Sequence, residues 1–97
     1  ENFSQLLAEN NSVLAFFRTD WCPLCNHVEE ILREIEQKFE LLSLFIIDFD
    51  KNKPLTEKYK IVGIPTVAVF KDGEIIGCFP GVREISTYEE MAEVVTQ

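Results

Sequence analysis

The sequence predicts an α/β fold: a central mixed sheet of about four strands, built as βαβ and then ββα, flanked by helices and preceded by a short N-terminal helix. Three observations carry this prediction. Val13 to Phe17 is a continuous apolar run of strand formers, as expected of a strand buried on both faces. From Val28 to Phe39 the apolar residues recur at helical spacing. Two short apolar runs near the C-terminus then flank Lys71-Asp72-Gly73-Glu74, which has the chemistry of a hairpin turn.

Taken in order, Asn2-Phe3-Ser4-Gln5 ahead of Leu6 and Leu7 reads as a short helix, with Asn2 as its cap and Gln5 returning a bond. Asn10-Asn11 ends it. After the first strand, Val28, Ile31, Leu32, Ile35 and Phe39 mark one face of a long helix that begins at about Cys22 or Pro23. Pro23 is tolerated because it falls in the first turn. Leu42 to Phe49 is the second strand, and Asp48, Asp50, Asn52 and Pro54 punctuate a turn into a short helix through Leu55 and Tyr59. Strand, helix, strand in that order favours a parallel pair with a right-handed crossover. Thr66 to Phe70 and Ile75 to Phe79 are the hairpin strands. Ser86 is the expected cap of a last helix, with Glu89 three residues on and Tyr88, Met91, Ala92 and Val95 facing inward.

Bulk properties narrow the class. The chain has 97 residues, 46% of them hydrophobic, enough for one domain with an apolar core over residues 1–97 and too few for two. The net charge of −8 is spread along the chain, which argues against a nucleic-acid partner. The longest apolar runs are about five residues, far below the ~20 that span a membrane, so no membrane partner is expected. No charged-then-apolar leader is visible, which predicts a cytoplasmic location; the chain opens on Glu1 rather than Met, so a removed signal is compatible with the sequence.

Three cysteines make a poor disulfide framework, and two of them stand three apart, a spacing of redox and metal sites. A thiol attacks a disulfide as thiolate and needs a second thiol to resolve the mixed disulfide. Cys22 at a helix start, where free N–H groups and the macrodipole favour an anion, supplies the nucleophile, and Cys25 one turn inside supplies the resolver. Cys22, Cys25, His27 and Cys78 also form a nominal zinc set. Its spacing is poor, with His27 expected at the surface and Cys78 as ordinary strand packing. Arg18 and Asp20 read as a solvated turn.

The run Trp21-Cys22-Pro23-Leu24-Cys25, then Gly63-Ile64-Pro65-Thr66, Lys71-Asp72-Gly73-Glu74 and Gly81, resembles the thioredoxin family over nearly the whole chain. The resemblance implies a thiol-disulfide oxidoreductase of thioredoxin fold that needs no dissociable cofactor or metal. Its partners would be disulfide-containing proteins and a reductase or other dithiol donor. It also implies a cis bond before Pro65 and an apolar substrate groove made by Trp21, Pro23, Leu24, Ile64, Pro65, Gly81 and Val82. Three departures stand out. Pro23-Leu24 replaces Gly-Pro between the cysteines, closer to glutaredoxins and periplasmic oxidases. Phe16 and Ile46 occupy the positions of the family's buried Asp and its Lys partner, so slower resolution at Cys25 is expected. Asn2 already begins the first helix where the family usually has an edge strand, leaving Leu42 to Phe49 as an exposed apolar edge; missing upstream residues or a partner would cover it. A glutathione-linked glutaredoxin is disfavoured by Gly63-Ile64-Pro65 and by the lack of a basic cluster. Outside the redox class, the same cysteines are compatible with a protein-binding module or with a metal or iron-sulfur carrier bridged through Cys22.

Overall fold

A computed structural model describes residues 2–97. The elements are α1 (Phe3–Glu9), β1 (Ser12–Arg18), α2 (Pro23–Lys38), β2 (Ser43–Asp48), α3 (Lys53–Lys58), β3 (Thr66–Lys71), β4 (Glu74–Pro80) and α4 (Ile85–Val95). The four strands form one mixed sheet in the order β2-β1-β3-β4. β1 runs parallel to β2, with Phe16 opposite Ile46, and antiparallel to β3, with Phe16 opposite Val67. β3 and β4 close the antiparallel hairpin.

β1 is buried along six of its seven residues because helices cover both faces of the sheet. Alternation along the strands divides the core in two. Leu14, Phe16, Val67 and Val69 face Val28, Leu32 and Ile35 of α2 and Tyr88, Ala92 and Val95 of α4. On the opposite face, Val13, Ala15, Phe17, Ala68 and Phe70 pack with Phe3, Leu7 and Ile61. Phe3, Tyr59 and Phe70 meet edge to face there, with ring centroids 5.1–6.1 Å apart.

The hairpin turn is as tight as the Asp-Gly pair allows. Asp72 and Gly73 are its two loop residues, with φ of 51° and 87°, the left-handed pair that matches strand twist. The Asp72 N–H donates to the Asn11 carbonyl at 2.8 Å, tying the turn to the start of β1.

Both predicted capping boxes fail to form. Asn2 stands at the N-cap of α1 but makes no side-chain cap bond, and Gln5 donates onward to Glu9 at 3.3 Å. The last helix starts one residue before the expected Ser86 cap, with Glu84 at the N-cap. The Tyr88 hydroxyl accepts the Arg83 N–H at 3.0 Å, drawing the chain inward so that the first turn closes from Thr87 N–H to the Glu84 carbonyl.

β2 is an edge strand, as its order in the sheet shows. Its Leu44 N–H donates to the Glu36 carboxylate of α2 at 3.0 Å, a side-chain acceptor replacing a strand partner. Ile46 on this edge is 38% exposed.

Candidate functional site

β1 ends at Arg18, and residues 19–22 carry the chain from its C-terminal end into α2. Cys22 is the N-cap of α2, with extended backbone at φ −103° and ψ 103°. Its sulfur accepts the Cys25 N–H at 3.3 Å, so a sulfur takes the place of the usual capping oxygen. Pro23 follows in the first helical turn, where no N–H is required. Cys22 and Cys25 are joined as a disulfide, with Cα atoms 5.4 Å apart. Cys25 is fully buried, whereas Cys22 is 7% exposed. Cys22 is thus the less buried of the two. A negative charge on it would meet the Cys25 N–H and the positive end of a 16-residue helix.

A second wall comes from the loop before β3 and the end of β4. The Ile64–Pro65 peptide is cis. The Thr66 hydroxyl donates to the Gly63 carbonyl at 2.7 Å, closing the turn from within. The Pro65 carbonyl accepts the Gly81 N–H at 2.8 Å, and Gly81 has φ +79°, a conformation suited to glycine. Ile64 is half-buried against the core cluster that contains both cysteines. Among the predicted groove residues Trp21, Leu24 and Val82 are exposed at 69%, 59% and 44%, Pro23 and Gly81 are exposed, and Pro65 is buried. The Trp21 indole N–H donates to Asp50 beyond β2 at 3.2 Å, which orients an otherwise free ring.

Asp50 and Tyr88 were not legible as site residues. Asp50 reads as turn punctuation, and Tyr88 as a core residue of α4. Tyr88 is indeed buried at 1%, yet its hydroxyl holds the Gly81–Arg83 turn by accepting from Arg83 N–H. No periodicity signals a polar tip on a core ring.

Phe16 lies fully buried in the same cluster as Cys22 and Cys25. Ile46 sits beside it in register but at the half-open edge. The charges of this region lie further out, and they correct the expectation of a solvated turn at Arg18. That side chain is only 13% exposed and its guanidinium pairs with Glu29 of α2 at 2.7 Å, while Arg33 holds the other Glu29 oxygen at 2.8 Å. Burial alone would raise the Glu29 carboxyl, but the hydrogen bonds and charges of Arg18 and Arg33 hold it below the usual carboxylate range. Asp20 remains exposed.

Cys78 is a second correction. It is exposed on β4 rather than packed, β4 being the outer strand of the sheet. Partial desolvation raises its thiol above the ordinary value, with the Arg83 charge pulling the other way. His27 is exposed on α2. The nominal Cys22, Cys25, His27 and Cys78 set is not assembled: among the described residues no group of three or more His, Cys, Asp or Glu could hold a metal ion. None of the described helices is long and apolar enough to cross a membrane.

This combination of a sheet flanked on both faces, a Cys-Pro-Leu-Cys helix start and a cis proline before the hairpin defines a thioredoxin-like protein. The family model "Thioredoxin" matches residues 1–94, and the chain belongs to the thioredoxin family. It is 34% identical over 80 residues to the thioredoxin of Bacillus subtilis (strain 168), covering 81% of this chain and 77% of that protein. It is also 33% identical over 93 residues to protein disulfide isomerase-like 2-2 of Oryza sativa subsp. japonica, covering 91% of this chain but 25% of that longer protein. Among solved structures, a mutant thioredoxin from Halobacterium salinarum NRC-1 superposes with a TM-score of 0.90 at 28% identity, covering 97% of this chain and 82% of that one. Family membership with a CxxC pair at disulfide distance supports a thiol-disulfide oxidoreductase.

Proposed function

We infer that the chain, acting as one domain, exchanges disulfides with protein substrates through Cys22 and Cys25. The Cys22 thiolate attacks a substrate disulfide, forming a mixed disulfide and releasing the first substrate thiolate, which takes up a proton. Cys25 then loses its proton and attacks the Cys22 sulfur. The second substrate thiolate leaves, and the domain retains the two electrons' worth of oxidation as its own disulfide. A reductase or another dithiol would return it to the reduced state. The observation that carries this reading is the Cys25 N–H aimed at the Cys22 sulfur on a helix start, with Cys22 the less buried of the pair.

The groove of Trp21, Pro23, Leu24, Ile64, Pro65, Gly81 and Val82 is the proposed seat of the substrate chain. Its exposed apolar surface beside the disulfide suits an extended, partly apolar segment. With Phe16 and Ile46 apolar, no buried carboxylate stands among the described residues to take the Cys25 proton, so resolution is slower than in a thioredoxin that keeps one. A cytoplasmic setting fits the free Cys78, since unpaired thiols persist in reducing compartments.

Cys22→Ser is expected to abolish reduction of a protein disulfide such as that of insulin, and Cys25→Ser to accumulate the mixed disulfide, seen on a non-reducing gel. The wild-type dithiol should titrate as one two-electron couple between roughly −270 and −120 mV. Absence of any reversible couple in that span would remove the redox reading.

A further inference from the structure

We propose that Arg18 is a positioning residue for the dithiol, its guanidinium bridging the Thr19 carbonyl and the Glu29 carboxylate and so clamping the turn that carries Cys22 onto α2. This rests on the redox reading of the same site and adds a residue to it.

The bridge is made by separate arms of one planar group. Nη1 donates to Glu29 Oε1 at 2.7 Å and Nη2 to the Thr19 carbonyl at 2.9 Å. The same Thr19 carbonyl accepts the Cys22 N–H at 3.4 Å. Glu29 stands one helical turn beyond Cys25, and its second oxygen is held by Arg33. A continuous path of hydrogen bonds therefore runs from the backbone of Cys22, through Thr19 and Arg18, to the helix whose Cys25 N–H faces the Cys22 sulfur. The Thr19 side chain is 2% exposed with an unpartnered hydroxyl, so the backbone carbonyl alone links this turn to Arg18. Asp20 and Asp48 line the same open cleft of about 360 Å³, and Glu30 and Arg33 border Arg18 on its other side; the guanidinium is paired to Glu29.

A sulfur gains from helix N–H groups only while its distance and angle to them are kept. Loosening the turn lets Cys22 move off the helix start, so its thiolate becomes harder to form. Lysine cannot replace the function, because a single ammonium lacks the rigid fork that reaches both acceptors.

The test follows alkylation of Cys22 against pH in the reduced protein, on a Cys78→Ala background, with the Cys22 peptide quantified by mass spectrometry. Arg18→Met is expected to shift the thiolate profile upward by about half a pH unit, slowing alkylation near neutrality about threefold. Arg18→Lys should show most of the same shift, and both should become easier to oxidise. A wild-type profile in Arg18→Met, even with a lowered melting temperature, would overturn the proposal by reducing Arg18 to a structural role. Full recovery in Arg18→Lys would overturn it in favour of charge alone. Should Arg18→Met not fold, Arg18→Lys carries the test by itself. Wild-type protein without any disulfide exchange would instead sink the redox reading, while the profile comparison would still judge the clamp.

Discussion

The Thr19 hydroxyl is buried with no hydrogen-bond partner, and such an orphan costs about 1–3 kcal/mol. Thr19→Val keeps the shape and removes the unmet demand, so a gain of about 1 kcal/mol is expected in urea unfolding of the oxidised protein. A loss of that size would show that the hydroxyl has a partner in solution. Glu29 gives a pH-dependent counterpart. Its carboxyl is held below the ordinary value by Arg18 and Arg33, so the stability it contributes is present above the unfolded pKa of about 4.3 and lost as pH falls through the lower folded value. Glu29→Gln should therefore be less stable than wild type at pH 6, with the gap closing in acid; a gap that widens in acid would reverse the assignment. Single residues were also where sequence reading reached least. Arg18 looked like turn decoration because its partner lies 11 positions away, and Cys78 looked packed because alternation does not reveal which strand ends up outermost.

Elements were far more legible, since period and turn chemistry are local properties. The four apolar positions Val28, Ile31, Leu32 and Ile35 of α2 and the Asp72-Gly73 turn are read directly from spacing and composition, whereas Phe39, expected inside the helix, is its C-cap. Helix ends were harder. Asn2 and Ser86 have capping side chains, but tertiary contacts decide whether those chains bond, and Tyr88 moved the start of α4 to Ile85. The end of α3 shows the same limit. Lys60 adopts φ 58°, with its own N–H bonded to the Glu57 carbonyl and the Ile61 N–H to the Thr56 carbonyl at 2.7 Å. This is a Schellman ending built on a residue with a Cβ. Lys60→Gly removes the left-handed penalty of about 1–2 kcal/mol, less what glycine adds to the unfolded chain, and a net gain of about 0.5–1 kcal/mol is expected. Thermal melts that show no gain would mean the ending relaxes in solution.

At the scale of the molecule, the sheet order and the parallel β1–β2 pair follow from strand, helix, strand, while the two-sided core follows from the apolar run in β1. What no local pattern could reveal is how the interior treats protons. The buried polar residues are Ser12, Thr19, Thr56 and Thr66, all neutral hydroxyls, and Phe16 fills the place beside the cysteines. No buried Asp, Glu, His, Lys or Arg occurs among the described residues. With the disulfide closed, folding thus takes up or releases few protons between about pH 6 and pH 8, and the melting temperature should stay nearly level there; at higher pH the raised Cys78 thiol lets the unfolded chain ionise first and stability falls. Opening the disulfide adds two titratable thiols to an otherwise silent interior. The difference between the reduced and oxidised melting profiles then becomes a proton count for the dithiol itself, read by calorimetry without a label. A slope in the oxidised protein as steep as in the reduced one would place another ionisable group in the core. Phe16 therefore makes this domain a clean thermodynamic reporter of its own sulfur chemistry.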